Sequence, residues 1–279
     1  MVTAVLQVLM LLSVGVPVLV GAAASGNDIL AKWKALNDGE RKWVTRQQEL
    51  QFDIEGKFGT RKRELTVYEE RLATPEDGVD KKAIVFFSAP PEVKGTSFLA
   101  YTHADGTPAN QWLYLPALKR VRVLAGNSRR ESFVGSDLSY NDLDLLEALD
   151  AWPTKHGDTT LLGQETVDGV ACDKIELPVR EDTEAGKEYA RLILWLGSAD
   201  LFPRRLEFYE RSDPSVLRKR LTQSDIVVEG KIPVARHVLV ETPEKGSRTV
   251  ILAPATRFDP ELPDDLFEQA AMERGKPEA

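Results

Sequence analysis

Three histidines and one cysteine, His103, His156, His237 and Cys172, are the side chains here best suited to proton transfer, nucleophilic attack or metal binding near neutral pH. Their spacing supports none of the three. The histidines fall in separate strand-like segments, with no H-x-x-x-H step to bring two imidazoles onto one face. Cys172 follows a turn in an alternating strand and reads as a small buried hydrophobe. A single cysteine also excludes an internal disulfide and any multi-cysteine zinc site. No G-x-S-x-G, P-loop or G-x-G-x-x-G occurs. The expectation is a chain that is not an enzyme and uses no metal or cofactor.

Charge is arranged more purposefully. Lys119, Arg120, Arg122, Arg129 and Arg130 form a basic block, followed by the acidic series Asp137, Asp142, Asp144, Glu147 and Asp150. Separated blocks of opposite sign either pair when the chain folds back or make a dipolar surface for a phosphate or a partner. Both readings stay open. The basic residues, with Asp137 and Asp142, are carried forward as candidates for partner docking or gating. A second candidate feature is aromatic. Phe52, Phe86, Phe98, Trp112, Tyr114, Trp195 and Phe208 fall on alternating strand positions, where they can fill a core or line a pocket for acyl chains. Periodicity alone does not separate these two outcomes.

The elements that must position these residues are mostly strands. Leu50, Phe52 and Ile54 alternate with polar neighbours, as do Leu65 and Val67, and Ala83 to Phe87 is a short apolar run. Further strand patterns run from Thr96 to Leu124 and from His156 to Ala255. Gly and Pro divide them, and Asp168-Gly169 and Glu229-Gly230 suit tight hairpins. Helices are predicted at Asp28 to Lys42 (capped by Asn27), near Tyr140 to Trp152 (limited by Pro153) and at Asp264 to Ala270. The reading is mainly β: about ten or eleven strands in meander order, without the βαβ alternation of a doubly wound sheet. A sheet that large must curl or close, and a large antiparallel barrel can enclose a cavity.

Composition sets the compartment. Residues Met1 to Asn27 carry no charged side chain, Val5 to Val20 is almost wholly apolar, and Ala22-Ala23-Ala24 offers an A-x-A site. This predicts an export signal over residues 1–24 cut after Ala24, with an uncleaved anchor as the alternative. About 255 residues then remain, a length that one large barrel domain uses. A formal charge of −8 argues against general adhesion to nucleic acid.

Longer motifs bear on family. The runs Lys94 to Leu99, Asn110-Gln111-Trp112-Leu113-Tyr114-Leu115-Pro116-Ala117-Leu118-Lys119-Arg120-Val121-Arg122 and Ser132-Phe133-Val134-Gly135-Ser136-Asp137-Leu138-Ser139-Tyr140-Asn141-Asp142-Leu143 resemble the outer-membrane lipoprotein-sorting protein family, the LolA-like group. Phe202-Pro203-Arg204-Arg205-Leu206-Glu207 and Leu262-Pro263-Asp264-Asp265-Leu266-Phe267 continue the likeness in order. Asn141 departs from it, standing where an acid is common. The resemblance implies a LolA/LolB-like unclosed antiparallel barrel, with helices over its mouth and an apolar cavity, in one domain spanning 25–279. It further implies a periplasmic carrier that takes acyl chains of lipoproteins or other lipids from an inner-membrane transporter (ABC or RND type) towards an outer-membrane acceptor. A protein-binding envelope sensor or adaptor on the same fold is the rival reading. A lipid hydrolase is a third, for which no nucleophile and base are found.

Overall fold

A computed structural model describes residues 25–57 and 59–277. The expected export segment, residues 1–24, lies outside the described residues.

Thirteen strands form one antiparallel sheet. They are β1 (Thr45–Gly56), β2 (Gly59–Glu76), β3 (Val79–Ala89), β4 (Ser97–His103), β5 (Asn110–Leu115), β6 (Arg120–Val123), β7 (Thr160–Val167), β8 (Val170–Pro178), β9 (Tyr189–Gly197), β10 (Pro203–Glu210), β11 (Leu217–Glu229), β12 (Ile232–Thr242) and β13 (Ser247–Phe258). The count exceeds the expected ten or eleven, although every strand falls on a segment that the patterning marks. Spatial order is β6-β5-β4-β3-β2-β1-β13-β12-β11-β10-β9-β8-β7. The sheet is therefore two meanders, β1 to β6 and β7 to β13, joined along the β1–β13 ladder, where Phe52 faces Ile251. Strands β6 and β7 form its two edges. The barrel is unclosed.

The order of the strands explains the helices. After β6 the chain must travel from one edge of the sheet to the other before β7 begins. It does so across the concave face, through α2 (Tyr140–Glu147) and α3 (Trp152–Lys155) with short 3-10 turns around them. The helix expected over Tyr140 to Trp152 is thus broken in two. Pro153 has no N–H to continue a helix, but it fits the first turn of a new one. His156, expected in a strand, instead closes α3.

Helix α1 (Gly26–Asp38) lies against the turn Leu149–Ala151 and the start of β7. Ser25 caps it, accepting from the Asp28 amide at 3.2 Å while Asp28 accepts the Ser25 amide at 2.9 Å. Asn27, the expected cap, joins α1 to the β7 edge instead. It donates to Asp158 at 2.8 Å and accepts from the Thr159 amide at 2.8 Å. The approach is close, since a Cβ on Gly26 would stand 2.6 Å from Thr159 Oγ1.

Each strand sends alternate side chains to opposite faces. Leu65, Val85, Phe87, Phe98, Leu113, Leu194 and Leu221 belong to the main core on the concave face. Ile84, Phe86 and Leu99, one residue out of step, are covered on the convex face by α4 (Gln269–Arg274) and the turns before it. That helix starts at Gln269 instead of Asp264, and Ser97 Oγ donates to the Met272 carbonyl at 2.9 Å to hold it down. Cys172, Ile193 and Trp195 make a third, smaller convex cluster.

Candidate functional site

The motif Ser132 to Leu143 becomes a lid seated inside the sheet. Its turn is made by Val134 and Gly135, both with positive φ (47° and 84°). For a β-branched residue this is a strained backbone, held by its surroundings. The turn aims Phe133 into the concave face, with ring centroids 5.5 Å from Phe98, 5.7 Å from Phe87 and 6.3 Å from Phe52. Tyr140 closes the group at 5.7 Å from Phe133. In the sequence Phe133 stands only as one residue of the motif from Ser132 to Leu143. The available signal was one large aromatic flanked by Ser and Gly.

Polar anchors fix the lid. Asp137 accepts from Thr242 Oγ1 and Thr249 Oγ1, both at 2.8 Å, and its amide donates to Thr249 at 3.0 Å. Asp142 is wholly buried. It accepts from the Ser139 amide at 2.6 Å and the Tyr189 hydroxyl at 2.7 Å, and it pairs with Lys219. Burial, reinforced by the charge of Asp142, holds the Tyr189 hydroxyl well above its usual range, so it stays a donor. Asn141 donates to Glu188 at 2.6 Å. The residue that departs from the family's acid thus avoids setting a second carboxylate against Glu188.

The two charge blocks meet at one place among the described residues. Arg129 pairs with Asp144 at 2.9 Å. Arg122 turns to Glu131 at 2.8 Å, and Arg130 lies 3.9 Å from both Glu184 and Glu188. Glu147 pairs with Lys81. Lys119 and Arg120 are exposed on the β6 edge and make no ion pair among the described residues. Beside them Leu118 and Val123 are 68% and 63% exposed.

Under the lid lie two apolar chambers. One, of about 210 Å³, is lined by Phe52, Leu65, Val67, Val85, Phe98, Ala100 and Phe133. The other, of about 370 Å³, is lined by Trp33, Leu149, Phe202, Leu221, Val234 and Val238. Leu50, Leu138, Leu146 and Ile251 line both, so the leucines of the lid form a shared wall. Engineered apolar cavities of ~150 Å³ stay dry and take up apolar ligands, and these chambers exceed that size.

The aromatic candidates divide by strand parity. Phe52 and Phe98 line the first chamber. Phe208 is buried in the main core, 5.3 Å from Tyr189. Phe86, Trp112 and Tyr114 belong to the convex cluster beneath α4. Trp195 faces outward between Lys174 and Arg205, which lie 4.9 and 5.5 Å from its ring. The titratable candidates also stand apart. His103 contacts Asn110, His237 lies 3.2 Å from Ser224, and His156 stacks on Trp152 at 4.2 Å. Cys172 is buried, and desolvation raises its thiol pKa.

Comparison with known proteins agrees with this geometry. A family model described as "Uncharacterized protein" matches residues 79–274. No curated protein matches the chain. A DUF1329 family protein from Desulfovibrio piger superposes with a TM-score of 0.78 at 29% identity, covering 88% of this chain and 97% of its own. A Vibrio parahaemolyticus domain named for outer membrane lipoprotein sorting gives 0.77 at 25% identity, covering 89% and 98%. A LolA superfamily protein from Nitrosomonas europaea shares the fold at 15% identity, with a TM-score of 0.63, covering 89% of this chain and 100% of its own.

Proposed function

Because the chain belongs to the LolA-like family of outer-membrane lipoprotein-sorting proteins, we propose that it is a periplasmic carrier that shelters the acyl chains of lipoproteins or other envelope lipids in transit. The observation that carries this reading is the pair of apolar chambers meeting at Leu50, Leu138, Leu146 and Ile251 beneath a polar-anchored lid. Each methylene moved from water into such a space contributes roughly 0.8 kcal/mol. A few methylenes therefore hold a chain, and release needs only a comparable site on an acceptor. The lid excludes water while the chain is aboard. Phe52 and Phe98 are the sequence candidates assigned to the cavity wall, with Leu65, Val67, Val85 and Ala100 beside them.

In this reading the export segment 1–24 delivers a single domain, 25–279, to the periplasm. Loading comes from an inner-membrane transporter of ABC or RND type, and delivery is to an outer-membrane acceptor. No catalytic step is assigned. The β6 edge supplies the docking element: Lys119 and Arg120 make no ion pair among the described residues, Leu118 and Val123 are exposed beside them, and β6 ends the sheet. The same observation favours the rival, an adaptor that binds a membrane partner without cargo.

Uptake of a fluorescent diacyl lipid from vesicles separates the two. A carrier removes the lipid into a soluble one-to-one complex that co-elutes with the protein. An adaptor leaves the lipid in the vesicle, and that outcome refutes the carrier.

A further inference from the structure

Beside the first apolar chamber lies a polar one of about 390 Å³, bounded by the end of α1, the loop at Lys42 to Val44, β2, β3 and the segment Glu147 to Lys155. The ion pair Lys81–Glu147 lines both chambers and so forms the threshold between them. Lys34 is likewise spent, on Asp38 at 2.6 Å. The remaining charges of the polar chamber, Lys42, Arg71, Asp80, Asp150 and Lys155, make no ion pair among the described residues. Arg71 stacks on Trp43 at 4.0 Å, and its buried Nε has no hydrogen-bond partner. Lys155, only 6% exposed, makes no ion pair among the described residues. Among the acids, buried Oδ1 of Asp80 has no hydrogen-bond partner, and Asp150 has only Asn37, at 3.4 Å.

Buried polar atoms without partners are costly, and Arg71 Nε and Asp80 Oδ1 both belong to the lining of this cavity, where a ligand with complementary charges would meet them. That ligand must offer both signs. An anion alone leaves Asp80 and Asp150 facing it, and a cation alone leaves Arg71 and Lys155 facing it. Resting on the carrier reading, we propose that this chamber is a headgroup subsite for a zwitterionic phospholipid: a phosphodiester taken by Arg71 and Lys155, a primary ammonium by Asp80 and Asp150, with the acyl chains passing Lys81–Glu147 into the apolar chamber. Guanidinium and carboxylate give charge-assisted bonds to these two groups. An anionic headgroup leaves the two acids unmet, and a diacylglycerol leaves both sets of charges unmet.

The test offers the purified full-length protein vesicles of equimolar phosphatidylethanolamine, phosphatidylglycerol and diacylglycerol with identical acyl chains, and quantifies protein-bound lipid by mass spectrometry. The expected result is enrichment of phosphatidylethanolamine over phosphatidylglycerol of at least about fivefold, the ratio that roughly 1 kcal/mol of net hydrogen bonding produces. Asp80→Asn, with Asp150→Asn added, abolishes that preference, and Arg71→Gln with Lys155→Gln lowers both phospholipids relative to diacylglycerol. Asp80→Asn is isosteric and is scored alone where the double variants are unstable. Equal loading of all three lipids by the unaltered protein overturns the headgroup subsite and leaves the carrier reading standing. No bound lipid of any class overturns both.

Discussion

Lys219 and Asp142 meet as a buried ion pair, tying strand β11 to the first turn of the lid helix. Removing one partner leaves the other charged and desolvated, which typically costs about 3–5 kcal/mol. Lys219→Met should therefore lower unfolding free energy by that amount in urea. Adding Asp142→Asn should return at least about 1 kcal/mol, since no unpaired charge then remains. Simple additivity of the two losses would show that the pair does not seat the lid.

A cavity wall behaves differently from a packed core when it is enlarged. Ala100 lines the first chamber and is half-buried, so Ala100→Phe should fill space that the ligand would take. Diacyl-lipid uptake falls at least about tenfold, a loss of about 1.4 kcal/mol, while the melting temperature holds or rises. Trp112→Ala, beneath α4 on the convex face, should have the opposite profile: about 2–3 kcal/mol of lost stability with uptake retained. Melting curves and uptake on the same samples decide between the faces.

Much of this was legible in sequence, and the limits have physical causes. The strand segments announced themselves through alternation at Leu50, Phe52 and Ile54 and through the Gly-bearing turns. The face on which each aromatic lies did not. From Ala83 to Phe87 both parities are apolar, because the concave face is core and cavity wall while the convex face is covered by α4. Phe86 and Phe87 are equivalent to any periodicity argument and end up on opposite sides. The lid was visible as a motif without a role, since Asp137 finds its partners on strands more than a hundred residues away. The charge blocks left two readings open, and each holds in part: Arg129 pairs with Asp144, several other charges find partners outside the blocks, and Lys119 and Arg120 make no ion pair among the described residues.

His156 makes the fold sensitive to acid. Burial, with Arg180 and Lys155 nearby, pushes its pKa down from 6.5 to about 4. The unfolded chain therefore binds a proton that the folded chain refuses. Stability is unaffected above pH 6.5 and is lost as pH falls from there towards 4, by on the order of 2 kcal/mol. His156→Phe keeps a ring against Trp152 and removes the proton site, so its melting temperature should fall less between pH 7.5 and 4.5. Parallel falls in both proteins would remove His156 from the account.

At the β6 edge, Arg120→Glu with Arg122→Glu should cost no more than about 1 kcal/mol of stability, because both side chains are exposed and the one ion pair lost, Arg122 with Glu131, is at the surface. If the carrier reading holds, transfer to acceptor membranes, or capture by an inner-membrane transporter, falls and loses its dependence on salt. Undiminished transfer and capture would place docking elsewhere.

The most direct measurement is native mass spectrometry of the protein expressed with residues 1–24 in place in a Gram-negative host and purified from the periplasmic fraction without detergent. The carrier account predicts one equivalent of a diacyl species on the unaltered protein, displaced in Ala100→Phe. A protein that emerges at its bare polypeptide mass, while still capturing a membrane partner, would contradict it and establish the adaptor.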